Sequence, residues 1–459
     1  MSGMVLYDFG PRYPLPLPLT VFQWAGAAVV GISFIMMTVF AGHRTGPTPV
    51  GRSRRELSRL AWAPRSSALR RLGGAVGVIG LCLVVVTGLL GPGRPERSLA
   101  EFLTWVYFWA GLGVVTGLLG PVWRWLNPFL ALDGLVRRVR GEAAPSPAGD
   151  ALARFGLWPA AGLLFVFGCL DVGQIIGHRP LALGLFVLSY TVFTVAGMQR
   201  YGAASWLAHV EFFSVFFGLL ARFAPLEVRE GRVYLRPLGA GLLDRVRGGW
   251  DQVLFVILML STLAFEALVL TPVWSQVVAS PVGRLVLQLG PPGDVGLRVL
   301  GLVALTLLFL VAFMVCMELV LYFGEVGVDG PATATAFALT LVPIAYVYDF
   351  AHNYANLVVQ AQLLLPLLAD PLGLGWRPLP LAGFHPSTLL ASAVVVWYVE
   401  VVLIVGGHVV AMWLAHLRAG ERFGATQNVL LSQYPILVLM VLYTVTSLWI
   451  LAQPVARYP

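Results

Sequence analysis

A polar stripe stands out within one of the long apolar runs of this sequence. Asp349, Asn353, Asn356 and Gln360 follow one another at intervals of four, three and four residues, and His352 lies three residues after Asp349. Residues at these spacings share one face of an α-helix. A polar face on a membrane helix must point at other protein or at an internal cavity, because unsatisfied polar groups in hydrocarbon cost several kcal/mol.

The following apolar segment and an earlier one add further ionisable groups. Glu400, His408 and His416 are spaced eight residues apart, so successive members are offset by roughly 80° and about 12 Å and cannot all bind one ion. Gly406–Gly407 removes side-chain bulk just before His408, which predicts a close helix approach or room for a flat cofactor. Glu266 lies in the sixth apolar segment.

Carboxylates and imidazoles at membrane depth are ligand types that suit a transition metal. The candidate ligands of a divalent metal are Asp349, His352, Glu400, His408 and Glu266. In the hydrolytic version of this hypothesis, Asp349 and Glu400 are the catalytic carboxylates around a metal-bound water, and a small apolar substrate enters from the bilayer.

Several alternatives remain open at the level of the sequence. His352 and His408 could ligate haem in a redox membrane subunit. The carboxylates and histidines, which also include Asp171, His178 and Glu318, could relay protons or cations through a transporter. The amides could simply form hydrogen bonds between helices, and the protein could be a scaffold within a larger membrane complex.

The composition places these groups in a polytopic membrane protein. Hydrophobic residues make up 58% of the 459 residues and charged residues only 11%, and the mean hydropathy is +0.82. All 30 basic residues are arginine, which indicates a GC-rich bacterial genome. The net charge of +8 does not indicate a nucleic-acid partner, because the arginines fall in loops between apolar segments and act as topology signals.

A spanning helix needs about 20 apolar residues, and this rule predicts an all-α fold of about ten transmembrane helices in a single domain, residues 1–459. The predicted spans are residues 21–41, 73–91, 102–123, 155–177, 180–199, 251–271, 297–322, 332–368, 388–416 and 430–452. A further apolar stretch, Ala203 to Leu226, carries Glu211 and Arg222 and is predicted to be an interfacial or re-entrant helix. The sequence LEVREGRVYLRPL that follows predicts a small cytoplasmic β-hairpin.

Arginine-rich loops set the predicted orientation. They lie near residues 42–72, 124–154 and 200–250, and the positive-inside rule places them in the cytoplasm. The sequence therefore predicts a multi-pass protein of the bacterial cytoplasmic (inner) membrane, surrounded by lipid, with both termini outside the cytoplasm.

Six stretches also resemble a family. They are PLPLPLTVFQWAGAAVVGISF, WRWLNPFLAL, SVFFGLLARFAPL, DQVLFVILMLSTLAFEALVLTPVW, AHNYANLVVQAQ followed by LLADPLGLGW, and SQYPILVLMVLYTVTSLWILAQP. Together they are similar to a group of multi-spanning actinobacterial-type membrane proteins that often carry the label fenitrothion hydrolase. The resemblance covers nearly the whole chain and is strongest in residues 343–376 and 433–454. It implies an inner-membrane protein with hydrolase activity on organophosphate-type esters, and it transfers no catalytic residue to this chain.

Overall fold

The structure of the chain is a computed structural model that describes residues 18–41, 54–57, 66–141, 152–244, 249–324, 329–376, 384–423 and 428–453. Within these ranges it is helical apart from one small sheet. Eight of the described helices are at least 18 residues long and apolar enough to cross a bilayer. The protein is therefore a multi-pass membrane protein, and the predicted fold class is confirmed. The compartment and the orientation stay predictions.

The main helices are numbered in chain order. They are α1 (Leu19–Ala41), α2 (Ser67–Leu90), α3 (Leu99–Leu119), α4 (Pro128–Arg140), α5 (Trp158–Val172), α6 (Pro180–Tyr201), α7 (Ala203–His209), α8 (Phe212–Phe223), α9 (Trp250–Leu268), α10 (Pro291–Gly324), α11 (Gly330–Ala369), α12 (Ala393–Phe423) and α13 (Tyr434–Leu451). Each of the ten predicted spans corresponds to a described helix. In α1 and α5 the apolar stretches, Leu19–Ile35 and Trp158–Val172, are shorter than the other eight.

Helix α11 carries the polar stripe and lies in the interior of the bundle. It is α-helical as far as Ala338, passes through a 3₁₀ turn at Leu339–Leu341 and resumes at Val342 with Pro343 in its first turn. Proline fits there because the first N–H groups of a helical segment have no partner within it. Helices α3, α8, α9 and α12 pack around α11. The inward orientation predicted for this helix follows from that packing.

Small residues decide how closely the neighbouring helices approach α11. A Cβ atom on Gly117 of α3 would lie 2.1 Å from Cε2 of Tyr346. A Cβ atom on Gly407 of α12 would lie 2.3 Å from Cγ2 of Val347. Both contacts need glycine, as is common where membrane helices pack tightly. The close approach predicted at Gly406–Gly407 is confirmed, and Val347 fills the space that a flat cofactor would need beside Gly407.

The stretch after α6 is a bent pair of helices. The axes of α7 and α8 differ by 73°, and Glu211 lies at the bend. Its carboxylate accepts hydrogen bonds from the backbone N–H groups of Phe213 (3.0 Å) and Ser214 (2.8 Å) and from the hydroxyl of Tyr190 (2.7 Å). Most of α8 is buried, which favours the re-entrant alternative over an interfacial helix.

A small antiparallel sheet follows α8. Strands β2 (Leu226–Arg229) and β3 (Arg232–Leu235) form the predicted hairpin, and β1 (Arg55–Glu56) adds to the other edge of β3, which gives the order β1-β3-β2. Glu230 and Gly231 form the turn with φ angles of 51° and 72°. Positive φ at both central residues is the type I′ geometry that two-residue hairpins favour.

Candidate functional site

Asp349 is the innermost member of the polar stripe. Its side chain is only 3% exposed, and Oδ1 accepts a 3.0 Å hydrogen bond from the amide of Asn353. Its Oδ2 lies 3.0 Å from the position that a Cβ atom on Gly113 of α3 would occupy. Further along the stripe, Gln360 donates to Oδ1 of Asn356 at 2.9 Å. The predicted buried polar face is thus confirmed, and Asp349 lies at the contact between α11 and α3.

The second predicted group on α11 has a different environment. His352 is half-buried, and its ring lies parallel to that of Tyr348, with 6.5 Å between centroids and 14° between planes. On α12, Glu400 is also half-buried. These two side chains therefore lie nearer to the margin of the bundle than Asp349 does.

His408 of α12 is fully buried. Its Nδ1 lies 2.7 Å from the carbonyl oxygen of Ile404, so Nδ1 carries the hydrogen, since a carbonyl can only accept. Within the described part of the chain, Nε2 has no hydrogen-bond partner. His408 is thus oriented by its own helix, and its free nitrogen is a possible ligand atom in a dry environment.

These positions do not add up to a grouped metal centre. Asp349, His352, Glu400, His408 and Glu266 all lie within the described ranges, and no set of three or more His, Cys, Asp or Glu side chains there is arranged to hold a metal ion. Asp349 interacts electrostatically with Glu266. This interaction joins two of the five predicted residues, and metal binding stays a prediction.

Asp171 joins them as the closest partner of Glu266. The two carboxyl groups are within hydrogen-bonding distance of each other, although they come from α5 and α9. Oε1 of Glu266 is buried, and among the described residues no N–H or hydroxyl group donates to it. A hydrogen bond between two carboxyl groups requires a proton on one of them, because ionised carboxylates only accept. The pair is therefore suited to hold one proton between two helices.

Glu101 continues the series toward the end of α3. It is 1% exposed, accepts a 2.8 Å hydrogen bond from Nε1 of Trp105 and interacts electrostatically with Asp171. The backbone N–H groups of His178 and Arg179, in the loop between α5 and α6, point at its carboxylate. The acids Glu101, Asp171, Glu266 and Asp349 therefore form a series that runs from this loop into the bundle. We call it the carboxyl series.

The loop at the outer end of the carboxyl series has an unusual backbone. Gln174 and His178 adopt positive φ angles of 52° and 60°, which are rare for residues other than glycine and cluster at functional sites. Burial lowers the pKa of His178, and the charge of Glu96 opposes that shift. Glu96 and His178 thus extend the carboxyl series to the surface of the protein.

The helix that carries Glu101 also departs from α geometry. Residues Phe102–Gly111 form a π-helix of 10 residues, a rare conformation that is frequent at functional sites. It lies between Glu101 and Gly113, the glycine that meets Asp349. The hydroxyl of Tyr107 in this segment donates to the carbonyl of Ala361 on α11. The π-helix therefore lines the same region of the α3–α11 contact as the inner acids.

Two buried hydroxyl groups lie next to the carboxyl series. Thr262 is one turn before Glu266 on α9 and lies against Gly168 of α5, and Thr116 is one turn after Gly113 on α3. Neither Oγ1 has a hydrogen-bond partner within the described ranges. Hydroxyls of this kind can accept from or donate to a water or ion that moves between the acids.

Sequence reasoning noted Asp171 as an intramembrane acid but did not pair it with Glu266, and it missed Glu101. The available signal was that all three acids lie at the same predicted membrane border. Asp171 is near the end of α5, Glu266 is near the end of α9, and Glu101 is near the start of α3. In comparisons with known proteins, no family model, no curated protein and no solved structure matches this chain.

Proposed function

We propose that the protein translocates protons across the membrane, and that the carboxyl series is the part of the path that leads from the α5–α6 loop to the middle of the bundle. The observation that carries the proposal is that Asp171 and Glu266 approach within hydrogen-bonding distance, while no N–H or hydroxyl group of the described residues donates to Oε1 of Glu266. This arrangement favours a proton shared between the two acids. Chains of acids in membrane helices typically serve as such relays.

The path has a direction within the bundle. Glu101 lies at the first turn of α3, and Asp349 lies against Gly113, in the second half of the same helix. A proton that enters beside His178 passes Glu101 and the Asp171–Glu266 pair before it reaches Asp349. Asn353 donates to Asp349, and Gln360 donates to Asn356, so the stripe keeps the surroundings of Asp349 polar.

A small cavity that Ile344, Ala345 and Tyr348 of α11 line, in the turn before Asp349, would extend the path. It has a volume of about 30 Å³ and lies between α9, α10, α11 and α13, with Tyr443 and Ser447 in its wall. A cavity of this size holds about one water molecule when polar groups line it. The hydroxyl of Tyr443 is buried and unpartnered among the described residues, so it is suited to bind such a water.

Proton flux into vesicles tests the proposal. The full chain is reconstituted into liposomes that contain a pH-sensitive dye, and a pH gradient is imposed with a K⁺ ionophore present to dissipate the membrane potential. We expect flux in the wild type and a loss of about tenfold or more in Glu266→Gln, which corresponds to about 1.4 kcal/mol in the barrier. Glu318→Gln is the matched control, since Glu318 is an exposed acid of α10. Wild-type flux no higher than that of protein-free vesicles would refute proton translocation.

The metal-dependent hydrolase is the second hypothesis, and the family resemblance supports it together with the residue types. In it, Asp349, His352, Glu400 and His408 would hold or polarise a metal-bound water, with Glu266 nearby. Metal analysis of the detergent-purified protein tests this, with His352→Ala as the comparison. A haem, the alternative ligand of His352 and His408, would give a Soret band in one absorbance spectrum.

A further inference from the structure

A cleft opens at the arginine-rich end of the bundle, away from the carboxyl series. Its volume is about 370 Å³, which is the size of a small-molecule site. The end of α8, strand β2, the short helix after α3 and the first turn of α4 form its walls, and Arg124, Arg222 and Arg236 are among its lining residues. The function proposed above does not use this cleft.

The charges around the cleft leave an excess of positive charge. Its two carboxylates, Glu227 and Asp244, are both paired with Arg54, with N–O distances of 2.6 and 2.7 Å. Arg236 lies 3.5 Å from Glu227 as well. With Arg124 and Arg222, four guanidinium groups thus face two carboxylates. An anion in the cleft would find two positive charges that no acid in the lining neutralises.

Two of these arginines are fixed in place. Arg222 donates to the carbonyl oxygens of Gly241 (2.9 Å) and Asp244 (3.1 Å). Arg236 donates to the carbonyls of Ala221 and Ala224. A guanidinium group has five N–H donors, so each retains donors after these bonds. Their fixed position lowers the entropy cost of binding an anion.

Arg124 completes the set from the opposite wall. It is exposed, and no ion pair of its guanidinium is found among the described residues. It is the second residue of the short helix Trp123–Leu126 that follows α3. The indole of its neighbour Trp123 donates to Ser214 of α8 at 3.0 Å. Trp123 thereby holds the backbone that carries Arg124 against the cleft, while the side chain of Arg124 remains available for a ligand.

The other walls of the cleft are apolar. Leu130, Leu207 and Phe217 line it, and α4 also exposes Leu135 and Val139 by 56% and 81%. A helix that exposes both apolar residues and arginines is typical of the membrane interface. The cleft thus lies next to a helix of the type that contacts lipid, and its apolar wall would have no role in binding a free inorganic anion.

We propose that this cleft binds an anionic phospholipid, with the phosphate at Arg124 and Arg222 and the acyl chains along Leu130 and Leu207. Basic pockets between membrane helices are known to recognise anionic headgroups in this way. The carboxylates of Glu227 and Asp244 keep Arg54 and Arg236 in position and are not ligands of the lipid.

Lipid affinity of the detergent-purified full chain tests the proposal. We expect phosphatidylglycerol to bind and to raise the unfolding temperature, and Arg124→Gln to weaken its affinity about fivefold, the effect of one arginine near an anionic headgroup. Arg138→Gln is the matched control, because Arg138 is an exposed arginine of α4 outside the cleft lining. This control should leave the affinity within twofold of the wild type.

Three outcomes would overturn the proposal. Equal binding of zwitterionic phosphatidylcholine would show that the phosphate charge is not recognised. Inorganic phosphate that binds as tightly as phosphatidylglycerol and competes with it would assign the cleft to a free anion. Equal losses in Arg124→Gln and Arg138→Gln would show diffuse attraction by surface charge. Arg124 forms no ion pair with the residues that the structure describes, so its variant is expected to fold.

Discussion

A proton shared between Asp171 and Glu266, as proposed above, should make the stability of the protein depend on pH in a defined way. Unfolded carboxyl groups have pKa values of about 4, so above about pH 5 the unfolded chain holds no proton on either acid. The folded pair retains one, because its hydrogen bond requires it. The folded state therefore binds one more proton than the unfolded state, and stability falls as pH rises by about 1.4 kcal/mol per unit while the pair keeps its proton.

The variant Glu266→Gln isolates this effect. Its amide can donate to the Asp171 carboxylate without a shared proton, so the pair no longer contributes to the pH slope. We expect a stability at pH 5 within about 1 kcal/mol of the wild type, since one hydrogen bond replaces another. Unfolding of the detergent-solubilised protein, followed between pH 5 and pH 7, measures both quantities. Asp171→Asn should remove the same slope, and the double variant should remove no more than either single one.

The decisive comparison is between the wild type and the variants in how steeply the free energy of unfolding changes with pH. Glu318→Gln changes an exposed acid of α10 and should keep the wild-type slope. If Glu266→Gln also keeps it, no proton is shared between the two acids, and the basis of the proposed path is lost.

Two further substitutions test the two ends of the carboxyl series. Gly113→Ala brings a methyl group 3.0 Å from Oδ2 of Asp349, so it should displace that carboxyl group and lower proton flux severalfold with the fold intact. Gly80→Ala, where nothing lies within 4 Å of the new atom, should leave the flux unchanged. At the outer end, burial lowers the pKa of His178. As the pH falls, this imidazole therefore binds a proton in the unfolded chain before it does so in the folded protein. The free energy of unfolding then decreases as the pH drops below about 6.5. His178→Asn keeps the positive φ angle, which asparagine tolerates, and should remove this loss in acid unfolding curves, while a slope equal to that of the wild type would contradict the assignment.

The sequence was sufficient for elements whose signal is local. Hydropathy gave the spanning helices, the alternation around Glu230-Gly231 gave the hairpin, and the spacing from Asp349 to Asn356 gave a buried polar face. The partner of that face was harder to find. The sequence suggested ligands on α12, the next apolar segment along the chain. In the structure His408 of α12 is hydrogen-bonded to its own helix. The acid that interacts with Asp349 comes from α9.

Pairing between helices is a property of the tertiary arrangement. Asp171 and Glu266 are 95 positions apart in the chain numbering, and nothing local requires α5 to lie beside α9. Gly168 allows that contact, since a Cβ atom there would lie 3.2 Å from Thr262. Thr262 precedes Glu266 by one turn. Gly168, which permits the approach of α5 and α9, is thus the sequence feature most closely tied to the Asp171–Glu266 pair.

The buried acids of this protein differ in what satisfies them, and this difference separates structural acids from mobile ones. Glu211 is as deeply buried as Asp349, but two backbone N–H groups and the hydroxyl of Tyr190 donate to it. Those donors are part of the backbone and of a packed side chain, so the carboxyl oxygens of Glu211 have fixed partners at the N-cap of α8. Among the described residues Glu266 has no such donor on Oε1, and in the proposed path it is satisfied by a proton shared with Asp171. A carboxyl group whose hydrogen bond depends on a shared proton must form a new hydrogen bond when that proton moves to another acid. A proton relay in a membrane requires this property.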